Sequence, residues 1–154
     1  MDAPNLIAAV QALQPDATVR DKTDRPTLIV PAHALVALAT RLRDDPALKF
    51  ELLEAHTAID WIEEDRFELL YLLASIAHGH VLTLSVSVDR DDPVVPTLCQ
   101  VYPIAEWLER ENYDLMGILY DDHPDLRRLF LEDDWVGFPL RKDYEDDFML
   151  ERPE

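Results

Sequence analysis

The chain has 154 residues, with 32 acids against 14 bases, for a formal charge of −18. Hydrophobic residues make up 48%, enough for one domain-sized core. The charge excludes a nucleic-acid binder, which needs Lys and Arg to displace counterions from phosphate, and a basic patch docking on anionic lipid.

The start, Met1-Asp2-Ala3-Pro4, has no basic n-region and no apolar h-region, so no secretory leader is expected. The spacing of Leu6, Ile7, Val10 and Leu13 predicts a helix from Pro4 to Leu13, ended by Pro15. Thr27 to Val30 reads as a short strand. A second helix is predicted from Pro31 to Arg43, with Leu35, Leu38 and Leu42 on its buried face and Asp44-Asp45-Pro46 as its stop. Glu54 to Ile62 reads as a strand and Glu63-Glu64-Asp65 as a turn. Arg66 to Ile76 alternates and then turns wholly apolar, the pattern of a central strand covered on both faces. Leu69 to Ala74, as long an unbroken apolar run as any in the chain, falls far short of a bilayer span. After His78-Gly79-His80, Leu82, Leu84, Val86 and Val88 alternate with Thr83, Ser85 and Ser87, so the two runs predict an antiparallel hairpin. Asp91-Asp92-Pro93 leads into a connector, Val94 to Pro103. A further helix is predicted from Ile104 to Met116, with Ile104, Trp107, Leu108, Glu111 and Leu115 on one face and Gly117 as its stop. Pro124 to Phe130 suits a short helix. From Leu131 onward Pro, Gly, Trp and charge dominate. That tail cannot build its own core, so Trp135, Phe138, Leu140 and Tyr144 are expected to lie on something else.

Self-contained chemistry is sparse. Cys99 stands alone, which fits a reducing compartment and falls short of the thiolates an iron–sulfur cluster takes. His78 and His80 could begin a metal site, but such a site needs three or four ligands; two solvated turn residues are the plainer reading. His33 and His56 have no motif around them and read as surface or half-buried. Glu109 and Glu111, two apart on a helix, do not face each other and make no carboxylate pair. No Gly-x-Ser-x-Gly elbow and no Gly-rich phosphate loop occur.

The C-terminal third is denser in charge. Residues 1–100 hold 16 acids and 8 bases (−8), whereas residues 101–154 hold 16 acids and 6 bases (−10). A solvated helix face would explain ions alone. Here Arg110, Arg127 and Arg128 are interleaved with Trp107, Tyr113, Met116, Trp135 and Phe138. Aromatic and Arg enrichment with little Lys is the composition of an interface.

The string Glu109-Arg110-Glu111-Asn112-Tyr113-Asp114-Leu115-Met116, then six residues, His123-Pro124, two more residues and Arg127-Arg128-Leu129, resembles the signature of the 30 kDa subunit of respiratory complex I. The C subunit of the bacterial NADH:quinone oxidoreductase belongs to this family, as does the J subunit of the photosynthetic homologue. Trp135-Val136-Gly137-Phe138-Pro139-Leu140-Arg141-Lys142-Asp143-Tyr144 resembles the family's closing motif, Asp91 to Pro96 its connector and Arg66 to Leu73 its central strand. The resemblance covers about residues 50–145. Met116, Asp122, Phe138 and Glu145 depart from the usual residues, which blurs the branch.

The resemblance implies an α+β fold: a two-layer domain with a mixed β-sheet and an extended, irregular C-terminal arm. It divides the chain into a core, 1–103, and a signature helix with partner-binding arm, 104–154, as one structural unit. It implies a non-catalytic brace in the peripheral arm of the complex, on the cytoplasmic face of the membrane and with no direct insertion. The brace would hold the 49 kDa quinone-pocket subunit and the small terminal-cluster subunit. No cofactor would be bound by this chain; FMN, iron–sulfur clusters, quinone and NADH belong to the complex. The expected interface residues are Glu109, Arg110, Glu111, Tyr113, Asp114, His123, Pro124, Arg127, Arg128, Trp135, Gly137, Pro139, Leu140, Arg141, Lys142, Asp143 and Tyr144. Of these, Arg127, Arg128, Arg141 and Lys142 would meet partner carboxylates. Glu109, Glu111 and Asp114 would hold the arm, accepting from Arg110 or a partner base. Two other readings stand: the equivalent subunit of an F420H2 dehydrogenase or membrane-bound hydrogenase, and a metal enzyme using His78, His80 and His123.

Overall fold

The computed structural model describes residues 1–147. Helix α1 (Ala3–Leu13) is capped by Asp2, whose carboxylate accepts from the Asn5 amide at 3.1 Å, and it ends before Pro15. Strand β1 (Thr18–Val19) leads to β2 (Thr27–Ile29). Pro31 opens a 3-10 turn, Ala32–Ala34, that runs into α2 (Leu35–Asp44). Asp45, preceding Pro46, is extended because the proline ring disfavours the helical conformation there.

The sheet is mixed, in the order β1-β2-β5-β4-β3. Strands β3 (Leu52–Trp61), β4 (Arg66–Ser75) and β5 (His80–Asp89) form an antiparallel meander, while β2 joins β5 in parallel. The predicted hairpin forms with Ser75 opposite His80, and Phe67, Leu69, Tyr71 and Leu73 register with Val88, Val86, Leu84 and Leu82. These eight side chains join Leu6, Val10, Leu35, Leu38 and Leu42 of the two helices in one buried core. Helices therefore cover one face of the sheet, giving two layers.

The opposite face is only partly covered. Leu70 and Leu72 are half-buried, so β4 is not enclosed on both sides as its apolar run predicts. On that face the fully buried Glu68 accepts from Arg20, from Ser85 Oγ at 2.5 Å and from Trp61 Nε1 at 2.9 Å. Burial alone would raise its pKa, but these donors hold the carboxyl below its ordinary range.

The connector contains a strand absent from the sequence reading, β6 (Val94–Pro96). It pairs in parallel with β7 (Leu119–Asp121), and α3 (Ala105–Met116) links the two. Two histidines also depart from expectation. His80 is the buried first residue of β5, donating from Nε2 to the Leu48 carbonyl at 2.6 Å, while His78 meets the Pro46 carbonyl at 2.9 Å. His56 is buried between β4 and β7, stacked on Tyr71 at 4.0 Å and bonded through Nε2 to the Tyr120 hydroxyl at 2.7 Å. Burial pushes its pKa down to about 4, so the ring is neutral.

Candidate functional site

Helix α3 buries polar positions that lie outside its predicted apolar face, while Leu108 and Leu115 of that face pack on the core. Glu109, Arg110, Asn112 and Asp114 are buried with Ala105 and Met116, whereas Ile104 and Trp107 stand about half exposed. Burying charge is tolerable only when every group finds a partner, and the partners lie in the connector and the arm.

Asp114 has four donors. Arg128 Nη1 reaches Oδ1 at 2.9 Å, and the amides of Leu129, Phe130 and Leu131 reach Oδ2 at 3.0, 2.6 and 3.0 Å. Burial would raise its pKa; the Leu131 and Phe130 amides, the Arg128 guanidinium and the Leu129 amide together hold it below the usual range. This explains why residues 124–130 are not the short helix expected: three successive amides point at one carboxylate instead of at carbonyls four residues back.

The arginines work alongside. Arg110 donates to the Arg127 and Arg128 carbonyls at 3.1 and 3.0 Å, with its guanidinium 5.2 Å from the Trp107 ring. Arg128 donates onward to the Trp135 and Gly137 carbonyls at 2.9 and 3.4 Å. Arg141 Nε donates to the Met116 carbonyl at 2.7 Å, and its guanidinium lies between the rings of Phe67 and Phe138, 5.1 Å from each.

A second knot ties the arm to the sheet. Arg90 grips Asp60 at 2.8 and 3.1 Å and Asp143 at 2.5 Å, while the Lys142 amide donates to Asp60 at 2.9 Å. These two carboxylates drive the Arg90 pKa further up. Phe138 lies against Gly117, and Tyr144 against Gly137, where an added Cβ would stand 2.9 Å from the ring.

Several of the ions expected to meet a partner already have neighbours in this chain. Arg128 and Arg141 are spent on this chain's own groups. Arg127 is exposed and pairs with Asp125 at 2.9 Å, and the Lys142 ammonium sits 5.8 Å from the Trp61 ring. Arg110 does not serve Glu109, which takes Thr97 Oγ1 at 2.5 Å and the Leu98 amide at 2.7 Å. Burial pushes the Glu109 pKa up despite these donors. Glu111, Tyr113 and Pro139 are half-buried, and Pro124, Trp135 and Leu140 are exposed. The tail lies on its own domain to a greater extent than expected: the His123 side chain is fully buried, although no residue from 121 to 147 is buried as a whole. The expected arm continues through residues 148–154, which lie outside the described residues.

Cys99, Glu109 and His123 bring potential metal-ligand atoms within 4.8 Å of one another. The donor set does not fit a resident cation. His123 Nδ1 accepts the Asp125 amide at 3.0 Å, which puts the proton of the neutral ring on Nε2, donating to the Glu106 carbonyl at 3.2 Å. The nitrogen facing Glu109 then has no lone pair to give. Burial also pushes the Cys99 thiol up to about 11. His123 is not grouped with His78 and His80, and among the described residues no set of three potential ligands contains either of those two.

The sequence reading missed Asp60, Arg90 and Thr97. Asp60 left a signal: it is a charged residue at an inward position of an alternating strand. Arg90, in a run of acids after β5, left none.

Residues 28–147 match the family described as respiratory-chain NADH dehydrogenase, 30 kDa subunit. The chain is 43% identical over 140 residues to the C subunit of the NADH-quinone oxidoreductase of Moorella thermoacetica, covering 91% of this chain and 93% of that protein. It is 45% identical over 140 residues to the protein of the same name from Streptomyces coelicolor, covering 87% of this chain but only 55% of that longer protein. Among solved structures, a chain of the membrane-bound sulfane sulfur reductase, an archaeal respiratory membrane complex, superposes with a TM-score of 0.78. That match covers 92% of this chain and 85% of the other at 24% identity, and shows a shared fold. A trypsin-resistant fragment of Nqo5 superposes with a TM-score of 0.68 at 25% identity, covering 82% of this chain and 100% of the fragment.

Proposed function

The chain belongs to the family of the 30 kDa subunit of the respiratory-chain NADH dehydrogenase, and from that membership we propose that it is a peripheral-arm subunit of a proton-translocating NADH:quinone oxidoreductase. Its work is positional. It braces the 49 kDa quinone-pocket subunit and the small subunit that holds the terminal cluster, at the cytoplasmic face of the membrane. FMN, iron–sulfur clusters, quinone and NADH are handled by its neighbours, and no residue of this chain touches a reacting atom. Residues 1–103 act as the core and residues 104–154 as the docking unit. No helix of the described residues is long and apolar enough to cross a membrane.

The observation that carries this reading is the state of the arm. Its backbone is fixed by buried ions of its own chain, while Phe130, Val136 and Leu140 face outward at 66%, 85% and 57% exposure. Large apolar side chains held out on a fixed backbone mark a surface that another chain covers. Purification of the tagged chain from its own cells tests the assignment. Co-elution of the quinone-pocket and terminal-cluster subunits together with flavin- and NADH-binding subunits supports it. A nickel–iron or F420-binding subunit in their place overturns the electron donor. Stoichiometric metal or flavin on the isolated chain overturns the positional role.

A further inference from the structure

We propose that the arm docks through Trp107, Phe130, Val136 and Leu140, rather than through the ions of the motif, onto a polypeptide surface that is apolar at its centre and rimmed by lysine and arginine. The inference rests on the reading of the chain as a bracing subunit and specifies the chemistry of the surface it grips.

The first ground is that the motif's buried ions are already used. Arg110, Arg128, Arg141 and Asp114 each close a contact inside this chain. Recruiting any of them for a partner would break a paired group at low exposure and leave its mate alone. The second ground is where the apolar surface lies. Among the described residues, seven of the twelve large hydrophobic side chains with high exposure fall between residues 104 and 140. Trp107, Phe130, Trp135 and Val136 share one scaffold. Arg110, over Trp107, holds the carbonyls at 127 and 128, and Arg128 holds those at 135 and 137. The helix face, the segment around Phe130 and the segment around Val136 are thus fixed relative to one another by two guanidiniums.

Charge gives the partner's rim. Between residues 121 and 147 eight carboxylate side chains are exposed, against two bases, Arg127 and Lys142. Arg127 already faces Asp125, and Lys142 lies over Trp61. A neutral or acidic partner would have to desolvate these carboxylates, apart from Asp143 on Arg90, without compensation. A basic rim meets them, speeds encounter and fixes orientation.

The test is co-expression of the full chain with the tagged 49 kDa subunit and the small terminal-cluster subunit of its own oxidoreductase, with capture at roughly 50 mM and 500 mM salt. Val136→Asp with Leu140→Asp is expected to cut the captured chain about tenfold or more, while its own unfolding temperature holds, since both side chains are exposed. Asp133→Lys with Asp134→Lys is expected to weaken capture at low salt and flatten its salt dependence. Capture of the apolar pair at the wild-type level overturns the inference and leaves the bracing role standing. Wild-type chain that is not captured at all overturns the bracing role and the inference with it. Self-association of the isolated chain that the apolar pair abolishes assigns the surface to a second copy and also overturns the inference.

Discussion

Asp114 occupies the last turn of α3, where the helix dipole disfavours a negative charge. Its carboxylate is nevertheless fully buried, because three amides and one guanidinium more than offset that field. The same four donors make it the residue that shapes the arm. Asp114→Asn keeps the volume but turns an NH2 group toward donors. It is expected to cost about 3 kcal/mol in urea unfolding, since it strips a paired buried charge. It should also raise hydrogen exchange at the amides of residues 129–131 to open-loop rates. A stability loss with those amides still protected would show that Asp114 supports the helix without holding the arm. His123, next to this knot, is placed by its tautomer: one ring nitrogen takes an amide proton and the other gives one to a carbonyl, so its contribution is packing and orientation.

Among the elements, α3 is the one whose buried side departs from the predicted apolar face, although Leu108 and Leu115 of that face do pack on the core. Hydrophobic periodicity locates the helix within one residue, but it assumes that apolar side chains face the core. Here much of the core-facing side is polar because the arm and connector supply its partners, and Ile104 and Trp107 are left outside. The element's end is set by Gly117, which adopts φ +75° as the C-terminal cap. A Cβ on Gly117 would also stand 2.6 Å from the Phe138 ring. Gly117→Ala therefore carries left-handed strain and a clash at once, and is expected to lose about 2 kcal/mol or more. Truncation of the ring, Phe138→Ala, should recover the clash portion when combined with it. Unfolding free energies of the four chains in a double-mutant cycle measure that coupling; strict additivity would mean that the arm does not seat on the helix terminus.

At the scale of the whole molecule, a charge of −18 on one domain means self-repulsion, relieved by screening. Protonation adds a second dependence. The folded His56 has a pKa of about 4 against 6.5 unfolded, so below pH 6.5 the unfolded state binds a proton that the folded state does not. This part of the stability is complete above pH 6.5 and is lost as pH falls toward 4. The carboxylates of Asp60 and Asp114, held below their ordinary range, add losses only at lower pH. In roughly 0.5 M salt, where repulsion is screened, the drop from pH 7 to pH 5 is expected to be about 2 kcal/mol from His56 alone. Denaturant unfolding should show that slope in the native chain and lose it in His56→Gln. An unchanged slope in the variant would put the titration elsewhere. Alternation in β4 and β5, the proline and glycine stops and the C-terminal motif were legible in the chain, because periodicity and turn chemistry are properties of neighbouring residues. The sequence by itself thus determined helices α1, α2 and α3, the central hairpin and the family resemblance. Only the tertiary structure decided which ions pair and which apolar side chains remain outside, since Arg90 meets Asp60 and Asp143, and Glu109 meets Thr97, across distances along the chain that no local pattern records.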